Sequence, residues 1–237
     1  MTGPAGTPAG PTRWTAARIV AKDRPTARTV RLRLWLPDRV PHLPGQHCVL
    51  RLTAPDGYTA QRSYSLASAP DDPHLELLVE HLPDGEVSGY LAEVARPGDV
   101  VEVRGPIGGW FTWDGETPSL CLVGGTGVVP AVAMTRTAQL RHREHLLAVV
   151  AVARTGADLP YADELGRYGA LCAFTRQDTP GRPRGAPRPD EIGALVRAAR
   201  RFYVCGSSRF AAFATSVLVE AGAERSTIRI EQFGPTG

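Results

Sequence analysis

Between Trp14 and about residue 112, short apolar stretches are separated by turn residues. TVRLRLWL (29–36) sets Val30, Leu32 and Leu34 against Arg31 and Arg33, the period of two expected of a strand with one face buried. WTAARIVA (14–21), HCVLRL (47–52), QRSYSLAS (61–68), LELLVEHL (75–82) and DVVEVRG (99–105) are strand-like as well. Pro44-Gly45, Asp56-Gly57, Asp84-Gly85 and Pro97-Gly98 punctuate them. Six short strands at this spacing predict a small antiparallel β-barrel over 13–112, interrupted by one short helix from about Val87 to Val94.

From about Ser119 the pattern changes. SLCLVG, HLLAVVAVA, ALCAFT and RRFYVCG are continuous apolar runs, as expected of parallel strands covered on both faces. They alternate with helix-like stretches near 128–141, 160–167, 189–199 and 207–221, and TIRIEQF supplies a last strand. This rhythm predicts an α/β doubly wound parallel sheet over 113–237, and so a two-domain chain with an antiparallel barrel first. The Pro/Gly/Arg-rich segment 177–189 reads as a mobile surface loop, and residues 1–12 as a disordered tail.

Composition narrows the class. The 237 residues are 43% hydrophobic and 22% charged, enough apolar content for a sizeable core. No run approaches the roughly 18 apolar residues of a membrane span, and the N-terminus lacks the charged and apolar regions of a secretory signal. A cytoplasmic location is therefore expected. A net charge of +3 argues against nucleic acid as a partner. The four cysteines, at 48, 121, 172 and 205, form no CxxC-type pair, so neither a zinc site nor an iron–sulfur cluster is expected. Nothing in the chain reports an interface, and a monomer is the default.

Three segments carry candidate chemistry. A buried strand runs into Gly124-Gly125-Thr126-Gly127 and then a helix, a turn that lets backbone approach a pyrophosphate closely. Alone such a turn is weak evidence, and it is not the strict GxGxxG fingerprint. A second buried strand ends at Cys205-Gly206-Ser207. In a sheet of order 3-2-1-4-5 these two turns would face each other at the topological switch point, where ligands bind. Cys205 on its own reads equally well as a small buried core residue. In the barrel half, Arg62 and Tyr64 share one strand face, which suits a phosphate beside a flat ring, while Ser63 and Ser65 point the other way.

The order RSYS, GGTGVVP, YVCGSS and EQFG resembles the ferredoxin–NADP(+) reductase superfamily. The likeness is greatest to its bacterial oxygenase-reductase and ferredoxin-reductase branch without a fused iron–sulfur domain. PGQH (44–47), RGPIGGWF (104–111) and the terminal FGPTG extend it over nearly the whole chain. The resemblance implies FAD on the barrel and NADPH or NADH on the α/β half. Arg62 would bind the FAD pyrophosphate, Tyr64 would pack on the isoalloxazine, and Ser65 would bond near flavin N5, with Ser63 beside them. Val79, Glu80 and His81 match the segment along the ribityl and adenylate side. Gly85, Val87 and Ser88 fall in the GxxS element, whose amides and Ser88 hydroxyl would hold the pyrophosphate.

On the nucleotide side, Gly125, Thr126, Gly127 and Pro130 match GTGxxP. Cys205 and Gly206 match the pair against the nicotinamide, and Glu231 and Phe233 match the terminal strand. Thr126, Cys205 and Ser65 would set the hydride approach. Arg154 ends the second strand of the sheet where an acid would favour NADH, and Arg176 and Arg188 follow, so the pattern favours NADPH over NADH. Electrons would leave singly to a ferredoxin, a flavodoxin or a separate oxidoreductase or oxygenase component. The alternatives are a non-catalytic electron-entry or regulatory FAD subunit of a larger complex, and a free-flavin or ferric reductase.

Overall fold

A computed structural model describes residues 13–233. Six strands, β1 (Thr15–Thr26), β2 (Thr29–Trp35), β3 (His47–Thr53), β4 (Thr59–Ser65), β5 (Leu75–Glu80) and β6 (Val100–Ile107), form an antiparallel sheet ordered β4-β3-β6-β1-β2-β5. Its ends meet at an antiparallel bridge between Leu66 and Leu77, which curls it into a barrel. Ile19, Leu32, Leu34, Leu50, Leu77 and Leu91 are fully buried inside. Burying each is worth about 1.5–3 kcal/mol, so the alternating pattern of β2 sets which face turns inward. After β5 comes one helical turn, α1 (Glu86–Gly89), which continues as a wider π turn over Tyr90–Val94. Val87 and Leu91 plug the barrel from there.

Five further strands, β7 (Ser119–Gly124), β8 (Leu147–Ala153), β9 (Leu171–Phe174), β10 (Arg201–Gly206) and β11 (Ile228–Gln232), form a parallel sheet ordered β11-β10-β7-β8-β9. Counted within this half, that is the predicted order 3-2-1-4-5. Helices α2 (Val128–Leu140) and α3 (Ala162–Tyr168) cover the face bearing Cys121, Val123 and Val149. Helices α4 (Pro189–Ala198) and α5 (Ser208–Glu220) cover the face bearing Leu120, Leu122 and Val150. Coverage of both faces is why these strands read as unbroken apolar runs.

The segment between β6 and β7 is anchored rather than loose. Phe111 and Trp113 are buried in the α2-side core, and the amide of Trp113 donates to Pro44 O at 3.1 Å. The Tyr203 hydroxyl donates to Thr112 O at 2.8 Å.

The segment 177–189, expected as a mobile surface loop, carries contacts of its own. Arg182 pairs with Glu191, the amide of Gly185 donates to Phe174 O at 2.8 Å, and that of Arg184 donates to Asp178 at 2.7 Å. Arginine-rich composition here supplies tethers. The proposed tail, 1–12, lies outside the described residues. Among the described residues no helix is long and apolar enough to cross a membrane.

Candidate functional site

Strand β4 is a sheet edge, and its register on β3 sets what it presents. Leu50 faces Arg62 and Cys48 faces Tyr64, so those two side chains lie on the same side as the buried Leu50 and Cys48. Tyr64 packs half-buried against the barrel core, and burial pushes its hydroxyl pKa up. Arg62 is exposed, and among the described residues its guanidinium bonds only to the carbonyl of Gln61, at 2.7 Å. Ser63 is exposed on the opposite side. Ser65 is 6% exposed, and its Oγ has no hydrogen-bond partner among the described residues. An unpaired buried hydroxyl costs about 1–3 kcal/mol, so Ser65 has hydrogen-bonding capacity that the described residues leave unused.

The neighbouring segment divides differently. Val79 and Val87 turn their side chains into the barrel core, so only their backbone is available to a ligand. Ser88 is buried, and its hydroxyl donates to Gly85 O and accepts from the amide of Leu82, both at 3.3 Å. That hydroxyl closes its own loop, and Gly85 is the residue before the helix. His81 pairs with Glu93 at 3.4 Å. Tyr58, at the β3–β4 hairpin and not singled out by the sequence, donates its hydroxyl to Glu86 at 3.0 Å.

Glu80 ends β5 and receives Arg28 at 3.2 Å. It also accepts the Thr126 hydroxyl at 3.2 Å, which brings the glycine-rich turn of the parallel sheet onto the barrel. In that turn Gly125 has φ +56°, a conformation that favours glycine, and open space where a Cβ would stand. Gly127 lies against the carbonyl of Cys205, so the two turns predicted to face each other are in direct contact. Phe210, one turn into α5, packs on Gly124 and Gly206 together. The sequence signal for Phe210 is only an aromatic shortly after a glycine turn. Pro130 is buried in the first turn of α2, where a missing amide N–H leaves no bond unmade.

Cys205 is fully buried and aligned with Glu231 on β11. Burial, reinforced by Glu231 and Cys121, pushes its thiol well above the usual range, so it stays protonated. Burial also raises the Glu231 carboxyl to about 7. The Phe233 amide donates to Gly206 O at 3.0 Å, and its ring is partly exposed beside that turn. Residues 234–237 of the terminal motif lie outside the described residues.

The three arginines fare unequally. Arg176 donates its amide to Arg154 O at 2.8 Å, so the ends of β8 and β9 bring them side by side. Arg154 is paired with Asp158 at 2.8 Å, and Arg188, just before α4, pairs with Asp190 at 3.2 Å. Arg176 is exposed.

Comparison with known proteins agrees with the fold. Residues 16–112 match the family described as oxidoreductase FAD-binding domain. The reductase component (ferredoxin–NAD(P)(+)) of the naphthalene 1,2-dioxygenase system of Pseudomonas putida is 30% identical over 161 residues, 68% of this chain and 48% of that protein. The crystal structure of the Amycolatopsis cytochrome P450 reductase GcoB superimposes with a TM-score of 0.81 at 26% identity, covering 100% of this chain and 74% of that one. A ferredoxin NADP+ reductase from Neisseria gonorrhoeae, solved with bound FAD and NADP, shares the fold with a TM-score of 0.77 at 19% identity, over 92% and 98% of the two chains. This chain spans about half the length of the curated relatives it matches. The barrel half thus matches the oxidoreductase FAD-binding domain family, and the whole chain has the two-domain fold and the motif order of the ferredoxin reductase-like superfamily.

Proposed function

We propose that this chain holds FAD along β4 and α1, takes a hydride from NADPH bound at the paired glycine turns, and hands the electrons singly to a separate acceptor. The observation that carries the reading is the Thr126–Glu80 contact, which sets the nucleotide-side turn against the flavin-side strand. The unpartnered Ser65 hydroxyl, the exposed Arg62 and the half-buried Tyr64 ring fit a flavin dinucleotide in hydrogen-bonding capacity, charge and shape. FAD, when bound, supplies the conversion of a two-electron donor into a one-electron source.

The roles of the chain's own groups follow from their chemistry. Arg62 forks onto phosphate, Tyr64 gives a stacking surface, and Ser65 donates or accepts at the flavin edge. Amides at the start of the 86–94 helical segment face the pyrophosphate, while the Ser88 hydroxyl acts by shaping the loop. Gly125, Thr126 and Gly206 line the nicotinamide approach with backbone and one hydroxyl. The buried, protonated Cys205 contributes a small apolar wall and no nucleophile. Arg176 meets the 2′-phosphate of NADPH, with Arg154 shared between that phosphate and Asp158. The barrel, taken as 13–112, and the α/β half, taken as 113–237, act as flavin carrier and nucleotide carrier. The acceptor is a ferredoxin, a flavodoxin or an oxygenase component, since a relative at 30% identity is the reductase component of a dioxygenase system.

The test is the absorbance of the purified protein, followed anaerobically as NADPH and then NADH are added. A flavin spectrum bleached faster by NADPH is expected. Flavin bleached by neither would indicate a partner-dependent electron-entry subunit, and protein that stays colourless after FAD addition would overturn the reading.

A further inference from the structure

Strand β5 and the stretch from Thr126 through helix α2 run in opposite directions, joined by a hydrogen bond at each end with a shared core between. At one end Glu80 accepts from Thr126 at 3.2 Å. In the middle Leu78 is buried in the same core as Val129 and Val132. At the other end Glu76 accepts from Arg136 at 3.0 Å. Glu76, Leu78 and Glu80 alternate onto one strand face, and the four residue steps between the two glutamates span about 13 Å. The ten residue steps from Thr126 to Arg136 span about 15 Å of helix, so the two series are similar in length.

The Arg136 end is buried and densely bonded. The Glu76 side chain is 5% exposed and Arg136 18%. Arg33 from β2 also reaches Glu76, at 3.0 Å, while Arg136 forks onto Glu164 of α3 at 2.6 and 2.9 Å. Arg136 Nη1 donates in addition to Ala67 O at 3.0 Å. Ala67 lies two residues beyond Ser65, and Arg136 lies on the helix that the Thr126 turn begins. One guanidinium therefore holds the backbone next to Ser65 at a fixed place relative to the helix behind Thr126.

We propose that Glu76 and Arg136 are positioning residues. Their ion pair fixes the register of the two sheets, and through it the separation of Ser65 and Thr126 across which hydride passes. The inference rests on the function proposed above. In that transfer a C–H bond of the nicotinamide breaks and an N–H bond forms on the flavin, so the nucleotide is oxidised and the flavin reduced by two electrons. The clamp touches neither cofactor site, so it governs rate and leaves binding alone. A displacement of about 1 Å suffices to slow such a transfer by about a hundredfold.

The test uses the full chain carrying Glu76→Gln, Arg136→Met, both together, or Arg136→Lys. Flavin-to-protein ratio, the concentration dependence and the limiting rate of anaerobic bleaching by NADPH, and amide exchange at Ala67 and along β5 are measured. The expected result is unchanged flavin content and half-saturating NADPH, within about twofold, with the limiting rate down about tenfold or more. The double variant should be no slower than the worse single, Arg136→Lys should recover part of the rate, and exchange at Ala67 should quicken while β1 is unchanged. A limiting rate within about twofold of the parent in folded Glu76→Gln overturns the proposal. So does loss of flavin in parallel with rate across the series, including Arg136→Lys, because that would mark a general stabilising role. If no nucleotide bleaches even the parent, the proposed function fails instead. The exchange data then decide the clamp alone, and unchanged protection in Glu76→Gln overturns it.

Discussion

Gly127 lies so close to Cys205 that a Cβ on the glycine would stand 2.3 Å from the cysteine carbonyl oxygen. It would also stand 2.7 Å from the amide nitrogen of Gly206. Both opposing atoms are backbone at the end of a central strand, where neither can swing aside. An alanine there has to push the first turn of α2 off β10. We expect Gly127→Ala to lower unfolding free energy by about 1–3 kcal/mol and to weaken the nucleotide response at least about tenfold, with flavin content unchanged. Urea melts and anaerobic titration check this, and nucleotide binding equal to the parent would show that the seam has slack.

Arg62 bonds only to the carbonyl of its neighbour among the described residues, so its removal leaves no broken protein network. Charge-assisted bonds to phosphate are worth about 1.5–3 kcal/mol, hence Arg62→Ala should weaken FAD affinity by about ten- to a hundredfold without altering the melting temperature of the apoprotein. Flavin fluorescence during dilution measures the affinity. Full retention of FAD would place the pyrophosphate elsewhere.

Arg154 already has Asp158 as counter-charge, whereas Arg176 is exposed and carries the larger share of the expected 2′-phosphate recognition. Arg176→Ala should raise the KM for NADPH by about tenfold and that for NADH by less than about twofold, and Arg154→Ala should act in the same direction more weakly. Steady-state kinetics with both donors settles it; equal effects on the two would remove the specificity argument.

Glu231 gives a pH prediction with a definite sign. Burial raises its folded-state pKa to about 7, above the unfolded value, so the folded protein holds a proton that the unfolded chain gives up. That contribution is complete below the unfolded glutamate pKa and is lost as pH rises through about 7. Glu231→Gln ionises in neither state. Relative to the parent it should gain stability on going from about pH 5 to about pH 8, on the order of 1–2 kcal/mol after allowing for solvent at this partly exposed group. Denaturant melts across that range test it, and parallel curves would contradict the assigned shift.

Much of this arrangement was legible along the chain, for local reasons. The alternation of β2 and the unbroken runs of β7, β8 and β10 distinguish a half-buried antiparallel strand from a parallel strand covered on both sides. That difference located the change of architecture. Glycine turns after buried strands located Gly125, Gly127 and Gly206, because backbone conformation and close approach restrict those positions to glycine.

Pairings between distant segments were decided only in three dimensions. An arginine in a sequence is a charge without a partner: the structure alone turns Arg182 into a tether, spends Arg188 on Asp190 and makes Arg136 the link between Ala67, Glu76 and Glu164. The same holds for side-chain direction, since Val79, Val87 and the Ser88 hydroxyl all turn into the protein although their motif points to a ligand. Periodicity and turn chemistry depend on neighbours within a few residues, so the sequence states them. Burial of a charge, the pKa of Glu231 and the contact of two turns depend on groups brought together from far along the chain, so only the folded protein determines them.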